Sequence, residues 1–417
     1  MARLVKIKSL FRNNTKVVEN YFFMTALQMI SSAFGILIYP YLIRVLGADS
    51  YGLYVYAVSV SSYFLSFVAF GFNFVGLKFI SQNKTNTGIK SEVVSSIMSA
   101  KAYLSVLSSL IFVIILLTIP FLRDHKIIFS IIFVQILSEV IFPVWYFQGV
   151  QKMKIVTYIQ LFFRLLSVPF IILLIHSADD GWKYALIASL TVILPAITLF
   201  VYLLRYEKLS IRLISPYRLS IYFRDALPFF WSSTAGTIKQ ESVTIIIGAF
   251  FGMKDVALYD LANKLIILPR MLTSSINAAL FPKVIENIKK ETVRKLIKYE
   301  TLIGLAVVVF EVVFGYWLVW LLGGADMLGA YPLAVILSFT VTSWLIVGSY
   351  INFIFVPQNR YYFVTKNQLV ALLSFMILCI PFALIYRNIW VITLALTFSG
   401  FCEILYCRYI VKKHNML

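Results

Sequence analysis

The chain contains twelve apolar runs, each long enough to cross a bilayer and each bounded by glycine, proline or charged residues. A helix of about 20 apolar residues matches the thickness of the hydrocarbon core, and a bilayer admits only helices or closed barrels. The pattern predicts an all-α, polytopic membrane protein with about 12 transmembrane helices. Two of the runs, 226–251 and 256–283, are interrupted by charge, so a strict hydropathy count is expected to miss both. The remaining predicted spans are 21–45, 51–80, 93–119, 127–149, 155–176, 184–205, 300–322, 331–356, 367–386 and 390–411.

The composition argues against a soluble enzyme. Of the 417 residues, 61% are hydrophobic and 13% are charged, whereas a soluble domain has about 45–50% apolar and about 25% charged residues. Twelve spans leave no room for a sizeable soluble domain. The sequence also lacks a phosphate-binding loop and a zinc-protease motif, and its three cysteines lie in late apolar segments, where they are expected to pack. We therefore expect no enzyme, no cofactor and no metal site.

The net charge of +19 reflects membrane topology. Lys and Arg residues outside the predicted spans number 24 on one side of the membrane and five on the other. Positive charge collects on the cytoplasmic side, so both termini are predicted to be cytoplasmic. The basic excess is then an orientation signal that also attracts anionic membrane lipid, and no nucleic-acid partner is expected.

An internal repeat divides the chain. A shift of 205 residues places Gly47 on Gly252 and Tyr54 on Tyr259, and both halves contain six spans that start on the same side. This predicts two pseudo-symmetric six-helix bundles related by an axis along the membrane normal. The segment between them mixes charge with Leu, Ile and Tyr at helical spacing, as interfacial helices do. The predicted parts are 1–205, an amphipathic cytoplasmic linker at 206–225, and 226–417.

The first span of each half carries a polar stripe along one helix face. The stripe in the first span contains Thr25, Gln28, Ser32, Gly35 and Tyr39, and that in the seventh contains Ser233, Thr237, Gln240 and Thr244. The 205-residue shift superposes the two stripes, which favours a central cavity between the halves. Close helix packing through small and hydroxyl residues is the alternative.

Charged groups inside spans cost about 2.5–3.5 kcal/mol each, so they tend to face a wet interior or a partner. Arg270 follows Pro269 and has no acidic residue one turn away, which favours a contact with an anion. Two simpler explanations stay open: Lys264 and Asp260 are four residues apart and could neutralise each other, and Arg44 could reach the membrane surface. The candidate anion-binding cations are Arg44, Lys101, Arg164, Lys239, Lys264 and Arg270.

Acidic residues within the spans are either salt-bridge partners or carriers of a coupling ion, and the sequence does not separate these roles. The candidates for ion coupling are Glu139, Glu241, Asp260 and Glu311. Glu403 is a further acid within a span.

Three stretches of the chain resemble one family. They are YPYLIRVLGADSYG at Tyr39 to Gly52, FPVWYFQGVQKMK at Phe142 to Lys154 and LPFFWSSTAG at Leu227 to Gly236. Together with the central break and the echo GMKDVALYDLANKL, they resemble bacterial O-antigen flippases. These flippases form part of the polysaccharide-transporter branch of the multidrug/oligosaccharidyl-lipid/polysaccharide (MOP) superfamily. The resemblance covers nearly the whole chain.

The resemblance implies two six-helix bundles that form a V around a central cavity and work by alternating access. It also implies an undecaprenyl-pyrophosphate-linked oligosaccharide substrate, moved from the cytoplasmic to the periplasmic leaflet of the inner membrane, and partners among the polymerase and other polysaccharide-assembly proteins. Such a substrate needs cations for its pyrophosphate, for which the six candidates above are available. It also needs polar and aromatic groups for its sugars, and the candidates are Gln28, Ser32, Tyr39, Tyr54, Ser233, Thr237, Gln240 and Tyr259.

Two other functions stay open. An ion-coupled multidrug exporter of the same superfamily would favour an acidic cavity, whereas eight cations and five acids lie within or at the ends of the spans. A membrane polysaccharide polymerase would place its chemistry in a long external loop, and the longest external link here is only 323–330.

Overall fold

The computed structural model describes residues 15–285, 290–358, 360–386 and 388–416. Within these ranges every regular element is helical, which confirms the all-α class. Nine helices of the described chain are long and apolar enough to cross a membrane, so the protein is a multi-pass membrane protein. Residues 1–14, with four of the five N-terminal cations used to predict topology, lie outside the described ranges.

Fifteen α-helices are labelled here in chain order. Those of the first half are α1 (Thr15–Ala69), α2 (Phe72–Gln82), α3 (Thr87–Thr118), α4 (Pro120–Asp124), α5 (Lys126–Phe133), α6 (Ile136–Ile141), α7 (Val144–Gly149), α8 (Met153–Leu174) and α9 (Gly181–Arg205). Those of the second half are α10 (Ser220–Phe250), α11 (Met253–Ile285), α12 (Lys290–Gly323), α13 (Ala330–Tyr350), α14 (Tyr361–Tyr386) and α15 (Ile389–Lys413). Short 3-10 turns occur at Ala178–Asp180, Pro216–Leu219 and Ala325–Met327, and a π-helical turn at Ile351–Phe355.

These helices account for the twelve predicted spans. α1 turns at Gly47, where φ is 75°, and so contains the first span and the start of the second. α10 and α11 cover the two charge-interrupted spans and are not among the nine apolar helices, as expected.

Two spans are broken rather than continuous. The second span breaks at Phe70 and Gly71, which both have positive φ, and Gly71 packs so closely that a Cβ there would lie 2.8 Å from Ala226 O. The fourth span forms the three short helices α5, α6 and α7, the last of which follows Pro143. Proline offers no backbone N–H to continue a helix.

The chain divides into two compact units. The first combines Met1–Ser31 with Ser61–Thr234, and the second combines Ser32–Val60 with Ala235–Leu417. In the first unit α8 packs on α9 and α2 packs on α7. Its core includes the buried rings of Phe72, Trp145, Tyr146 and Phe147.

In the second unit α13 is central and packs on α11, α12 and α15. Small residues permit this packing: a Cβ at Gly304 would lie 2.6 Å from Thr342 Oγ1, and one at Gly400 would lie 2.3 Å from Ser343 Oγ. Close approach through small residues is a common way for membrane helices to associate.

The two positions that the 205-residue repeat superposes have the same backbone character. Gly47 and Gly252 both have positive φ, 75° and 108°, and each lies at a turn between two long helices. Nearby, Gly52 touches the backbone of Met253, since a Cβ there would lie 1.8 Å from the Met253 carbonyl oxygen. At this one pair of superposed positions, φ has the same sign in both halves.

The segment after α9 is not the interfacial helix that its spacing predicted, because residues 206–215 are non-helical. Three serines on α3, Ser91, Ser95 and Ser99, form a serine ladder that accepts hydrogen bonds from the backbone of this linker segment. The bonds join Ser210 N to Ser91 Oγ (3.2 Å), Arg212 N to Ser95 Oγ (3.1 Å) and Ile214 N to Ser99 Oγ (2.9 Å). The linker backbone finds these side-chain acceptors on α3, so it gains no hydrogen bonds by becoming helical.

Candidate functional site

A polar cluster occupies the interior of the second unit. Lys264 forms an ion pair with Asp260 and donates a hydrogen bond to Tyr51 Oη over 2.9 Å, while Tyr51 Oη lies 2.9 Å from Asp260 Oδ2. The Lys264 ammonium also lies 5.3 Å from the ring centre of Tyr39, within the range of a cation–π interaction. The spacing of Lys264 and Asp260 along α11 allowed this pairing, and the structure forms it.

Two of the predicted sugar contacts are buried in this unit. Tyr39 is 0% exposed and Tyr259 is 5% exposed. The Tyr39 hydroxyl has no hydrogen-bond partner among the described residues. In this arrangement both rings pack inside the unit, so their contact with a sugar stays a prediction that requires a rearrangement.

Lys239 on α10 is also paired. Its ammonium lies 2.5 Å from Glu403 Oε1 on α15, and Asn367 Nδ2 on α14 donates to Glu403 Oε2 over 3.1 Å. The Asn367 side chain is fully buried and accepts a longer bond from Cys407 Sγ at 3.4 Å. Three helices are thus joined around one balanced pair of charges.

Arg270 on α11 donates a hydrogen bond from Nη2 to the buried hydroxyl of Thr340 on α13. The Thr340 contact fixes the side chain next to α13. Arg44, by contrast, is exposed and donates to the carbonyl oxygen of Leu321 over 3.0 Å, at the end of α12.

In the first unit, Lys101 is buried and fully bonded. Its Nζ contacts Glu139 Oε1 at 2.7 Å, Asn73 Oδ1 at 2.8 Å and the Glu139 carbonyl oxygen at 3.2 Å. An ammonium has three N–H donors, so these acceptors match its full capacity. Arg164 lies on α8, where its side chain is half-buried.

The other predicted sugar contacts differ in exposure. Gln28, Ser233 and Gln240 are exposed, whereas Ser32, Tyr54 and Thr237 are half-buried. Among these, Ser233 donates a hydrogen bond to the Phe229 carbonyl oxygen of its own helix over 2.8 Å. The structure therefore leaves the two glutamines and Ser233 accessible and partly covers the rest.

The four candidate ion-coupling acids differ in their bonding partners and in their burial. Glu139 and Asp260 are held in the ion pairs described above, and Glu241 forms a side-chain hydrogen bond with Ser59. Glu311 on α12 is only 1% exposed. No cluster of three or more His, Cys, Asp or Glu side chains that could hold a metal occurs in the described part of the chain.

Sequence reasoning missed the neutral partners of these charges, which are Asn73, Thr340 and Asn367. It also missed the buried contact in which Ser349 donates to Glu300. An isolated amide or carboxyl group in an apolar span is the only available signal, and it does not identify the partner. Asn73 and Lys101, for example, are 28 residues apart.

One charged group outside the spans anchors the start of the linker. Glu207 accepts hydrogen bonds from Lys152 and from Tyr146 Oη, the latter at 2.8 Å. Burial alone would raise the pKa of the Glu207 carboxyl, but the bonds from Lys152 and Tyr146 outweigh it. The pKa therefore lies below its ordinary value.

Comparison with known proteins gives a consistent result. A family profile described as "Polysaccharide biosynthesis protein" matches residues 17–289. A protein named "Putative O-antigen transporter" in Escherichia coli (strain K12) is 22% identical over 272 residues, which cover 65% of this chain and 66% of that protein. A protein of the same name in Shigella dysenteriae is 22% identical over 60% of this chain and 63% of its own length. The chain thus spans slightly less than two thirds of these relatives.

A solved structure shares the fold over most of both chains. It is the inward-facing conformation of a multidrug resistance MATE family transporter of the MOP superfamily. The TM-score is 0.64 at 14% identity, and the match covers 93% of this chain and 95% of that one.

Proposed function

The chain belongs to the polysaccharide biosynthesis protein family, and we propose that it is a flippase for an undecaprenyl-pyrophosphate-linked O-antigen oligosaccharide unit. It moves this unit from the cytoplasmic to the periplasmic leaflet of a bacterial inner membrane by alternating access, with both termini in the cytoplasm. The observation that carries the proposal is Arg270, a guanidinium held by Thr340 between two helices of a membrane-embedded unit. The names of the relatives, which are O-antigen transporters, support it.

The chemistry of the substrate favours arginine as its first contact. A guanidinium binds a phosphate through two parallel N–H bonds, and Arg270 carries such a group next to Thr340 in the second unit. Lys101, Lys239 and Lys264 each hold a carboxylate in this structure. These lysines would bind the pyrophosphate only by exchanging that carboxylate for it.

The sugar part of the substrate needs hydrogen-bonding groups on an exposed surface. Gln28, Ser233 and Gln240 are exposed, and Ser32, Tyr54 and Thr237 are partly exposed. Tyr39 and Tyr259 join the sugar surface only in a state in which the second unit has rearranged. The polymerase and other polysaccharide-assembly proteins are the proposed partners, because they consume the lipid-linked product.

Export of cationic drugs is the second candidate, supported by the fold shared with a multidrug transporter. It predicts that a fluorescent organic cation is expelled from cells that express the protein. The flippase proposal predicts no such efflux, because an arginine-containing site repels a cation.

The test uses purified protein in vesicles that contain a lipid-linked pyrophosphate oligosaccharide with a fluorescent sugar. A membrane-impermeant quencher then reports the leaflet that holds the sugar. We expect Arg270→Gln to slow transfer by about 10-fold or more, since a hydrogen bond to a charged group contributes about 1.5–3 kcal/mol. Arg270→Lys keeps the charge and loses the planar arrangement of donors, so its transfer rate should lie between those of the wild type and Arg270→Gln.

The matched control is Arg218→Gln, which removes the same charge from an exposed position beyond the serine ladder. It should transfer the lipid at the wild-type rate. Wild-type transfer by Arg270→Gln at equal protein density would contradict the role of Arg270, and no transfer by the wild-type protein would contradict the function.

A further inference from the structure

Glu311 is the one acid among the four ion-coupling candidates that the structure buries almost completely. It lies on α12, in the apolar span Glu291–Gly323, and is 1% exposed. Twelve residues separate it from Gly323, which corresponds to roughly 18 Å along a helix. The hydrocarbon core is about 30 Å thick, so Glu311 lies near the middle of the membrane.

No side chain of the described residues balances the charge of Glu311. Its Oε2 atom is buried without a hydrogen-bond partner, and no lysine or arginine of the described ranges forms an ion pair with it. Glu139, Asp260 and Glu403 also lie within the spans, and each of them is paired with a lysine. Among these four acids, Glu311 is therefore the one that has no ion-pair partner in the described residues.

The packing around Glu311 explains this isolation. One turn further along α12, a Cβ at Gly315 would lie 3.0 Å from Glu311 Oε2 and 3.2 Å from the Tyr331 ring. The Tyr331 hydroxyl is committed elsewhere, since it donates to the Val312 carbonyl oxygen over 2.9 Å. The missing side chain of Gly315 thus provides the space that Oε2 occupies, and the Tyr331 hydroxyl donates its hydrogen bond to another acceptor.

The described charged groups on the elements packed against α12 either form contacts of their own or lie at helix ends. On α11, Asp260 and Lys264 pair with each other and with Tyr51, and Arg270 donates to Thr340. The 3-10 turn Ala325–Met327, which follows α12, carries Asp326 at the opposite end of the helix from the cytoplasmic links. On α13, Tyr331 is the titratable side chain placed against this turn of α12.

An isolated carboxylate is very unfavourable in such surroundings, whereas the neutral acid is tolerated. Two species can neutralise it, a proton or a metal cation. A hard cation needs about six oxygen ligands, and no group of three or more His, Cys, Asp or Glu side chains that could hold a metal occurs among the described residues. The proton is the ligand that the site fits.

We propose that Glu311 is a proton-binding site, which holds a proton in this state of the protein and releases it during the transport cycle. On release the O–H bond breaks, its electron pair stays on the carboxylate oxygen, and the proton passes to a water molecule that reaches Gly315 when α12 and α13 separate. The proposal that Glu311 binds a proton does not depend on the proposed function. Its coupling to transport rests on the proposed function.

The first experiment measures protonation directly. Infrared spectra of the full-length protein in lipid nanodiscs at neutral pH are compared for the wild type, Glu311→Gln, Glu311→Asp and Glu92→Gln. We expect the carbonyl-stretch band of a buried carboxylic acid in the wild type and in Glu311→Asp, and its loss in Glu311→Gln. Glu92 is exposed, so Glu92→Gln should keep the band. An unchanged band in Glu311→Gln would overturn the proposal, and Glu311→Asp keeps the test decisive if the glutamine variant does not fold.

The second experiment uses the vesicle assay with a pH difference across the membrane. The wild type should transfer lipid faster with the gradient than without it. Glu311→Gln, which is permanently neutral, should lose this stimulation. Stimulation that persists in Glu311→Gln would overturn the coupling. Absence of transfer in every variant would instead reject the proposed function, and the infrared spectra would still decide whether Glu311 holds a proton.

Discussion

The hydroxyl of Tyr51 lies 2.9 Å from Asp260 Oδ2, although 209 residues separate the two in the chain. Both belong to the second compact unit, where Lys264 contacts them together. Tyr51 follows the turn at Gly47, so this bond joins the part of α1 just after the turn to α11. The charge pair on α11 thereby gains a hydrogen-bonding partner from α1.

Tyr51→Phe removes this bond and keeps the ring. We expect it to lower the free energy of unfolding by about 1–2 kcal/mol, because Asp260 and Lys264 stay buried with one partner fewer. Thermal unfolding of the purified protein in detergent measures the change. Tyr217→Phe is the control, since Tyr217 is 90% exposed. An equal melting temperature for Tyr51→Phe and the wild type would show that the bond is not formed.

Gly52→Ala should be strongly destabilising. The added Cβ would lie 1.8 Å from the Met253 carbonyl oxygen, and backbone atoms cannot rotate away as a flexible side chain can. Overpacking of this kind costs about 1–3 kcal/mol or more. Gly35→Ala on the same helix is the matched control, because a Cβ at Gly35 meets nothing within 4 Å. The yield of folded protein and its melting temperature should fall for the first variant alone.

Lys239 and Glu403 should be energetically coupled. Removing one partner of a buried pair costs about 3–5 kcal/mol, whereas replacing both partners is far less costly. Lys239→Met and Glu403→Gln should therefore each destabilise the protein, and the double variant should be destabilised by less than the sum of the two single effects. A double-mutant cycle on unfolding free energies measures the coupling.

The exposed pair of Lys154 and Glu19, 3.9 Å apart, provides the comparison for that cycle. Surface pairs contribute about 0–1 kcal/mol, so their coupling should be small. Strict additivity at Lys239 and Glu403 would mean that the pair is not formed in the membrane.

The anchor at Glu207 should be sensitive to acid. Because the pKa of Glu207 lies below its ordinary value of 4.5, the bonds it accepts stabilise the folded protein above about pH 4.5. This stabilisation is lost as the pH falls further, through the pKa of the folded state. Glu207→Gln should thus be less stable than the wild type at pH 7, and the difference should shrink as the pH is lowered below 4.5. A difference that is independent of pH would contradict the assignment.

The spans were predictable from the sequence because each depends on a local property, the length of an apolar run. α10 and α11 illustrate the limit of hydropathy, since their charges hide them from an apolar count although they are helices of full length. The breaks at Gly71 and Pro143 were harder to predict. A glycine or proline in a membrane helix is often tolerated, and whether it breaks the helix depends on what packs against it.

The polar contacts were predictable only where they are local. Asp260 and Lys264 lie one turn apart, so their pairing could be foreseen. Lys239 and Glu403 are 164 residues apart, and Lys101 and Glu139 are 38 apart. Their pairing depends on how the helices are arranged, which the pattern of apolar residues does not determine. The isolation of Glu311 depends on the same arrangement.

The serine ladder pairs two repeats of slightly different length: serines at every fourth residue of a helix and amides at every second residue of an extended segment. Four residues of helix advance about 6.0 Å, and two residues of extended chain advance about 6.6 Å. The serine hydroxyls and the linker amides therefore stay within hydrogen-bonding distance over three pairs, and a longer ladder would lose the match. Inserting two residues before Ser210 shifts the pairing by one serine, so that an inserted amide meets Ser91 and the amides of Ser210 and Arg212 meet Ser95 and Ser99. Inserting one residue turns Leu209 and Ile211 away from their core contacts. Natural changes in the length of this tether should therefore come in even numbers.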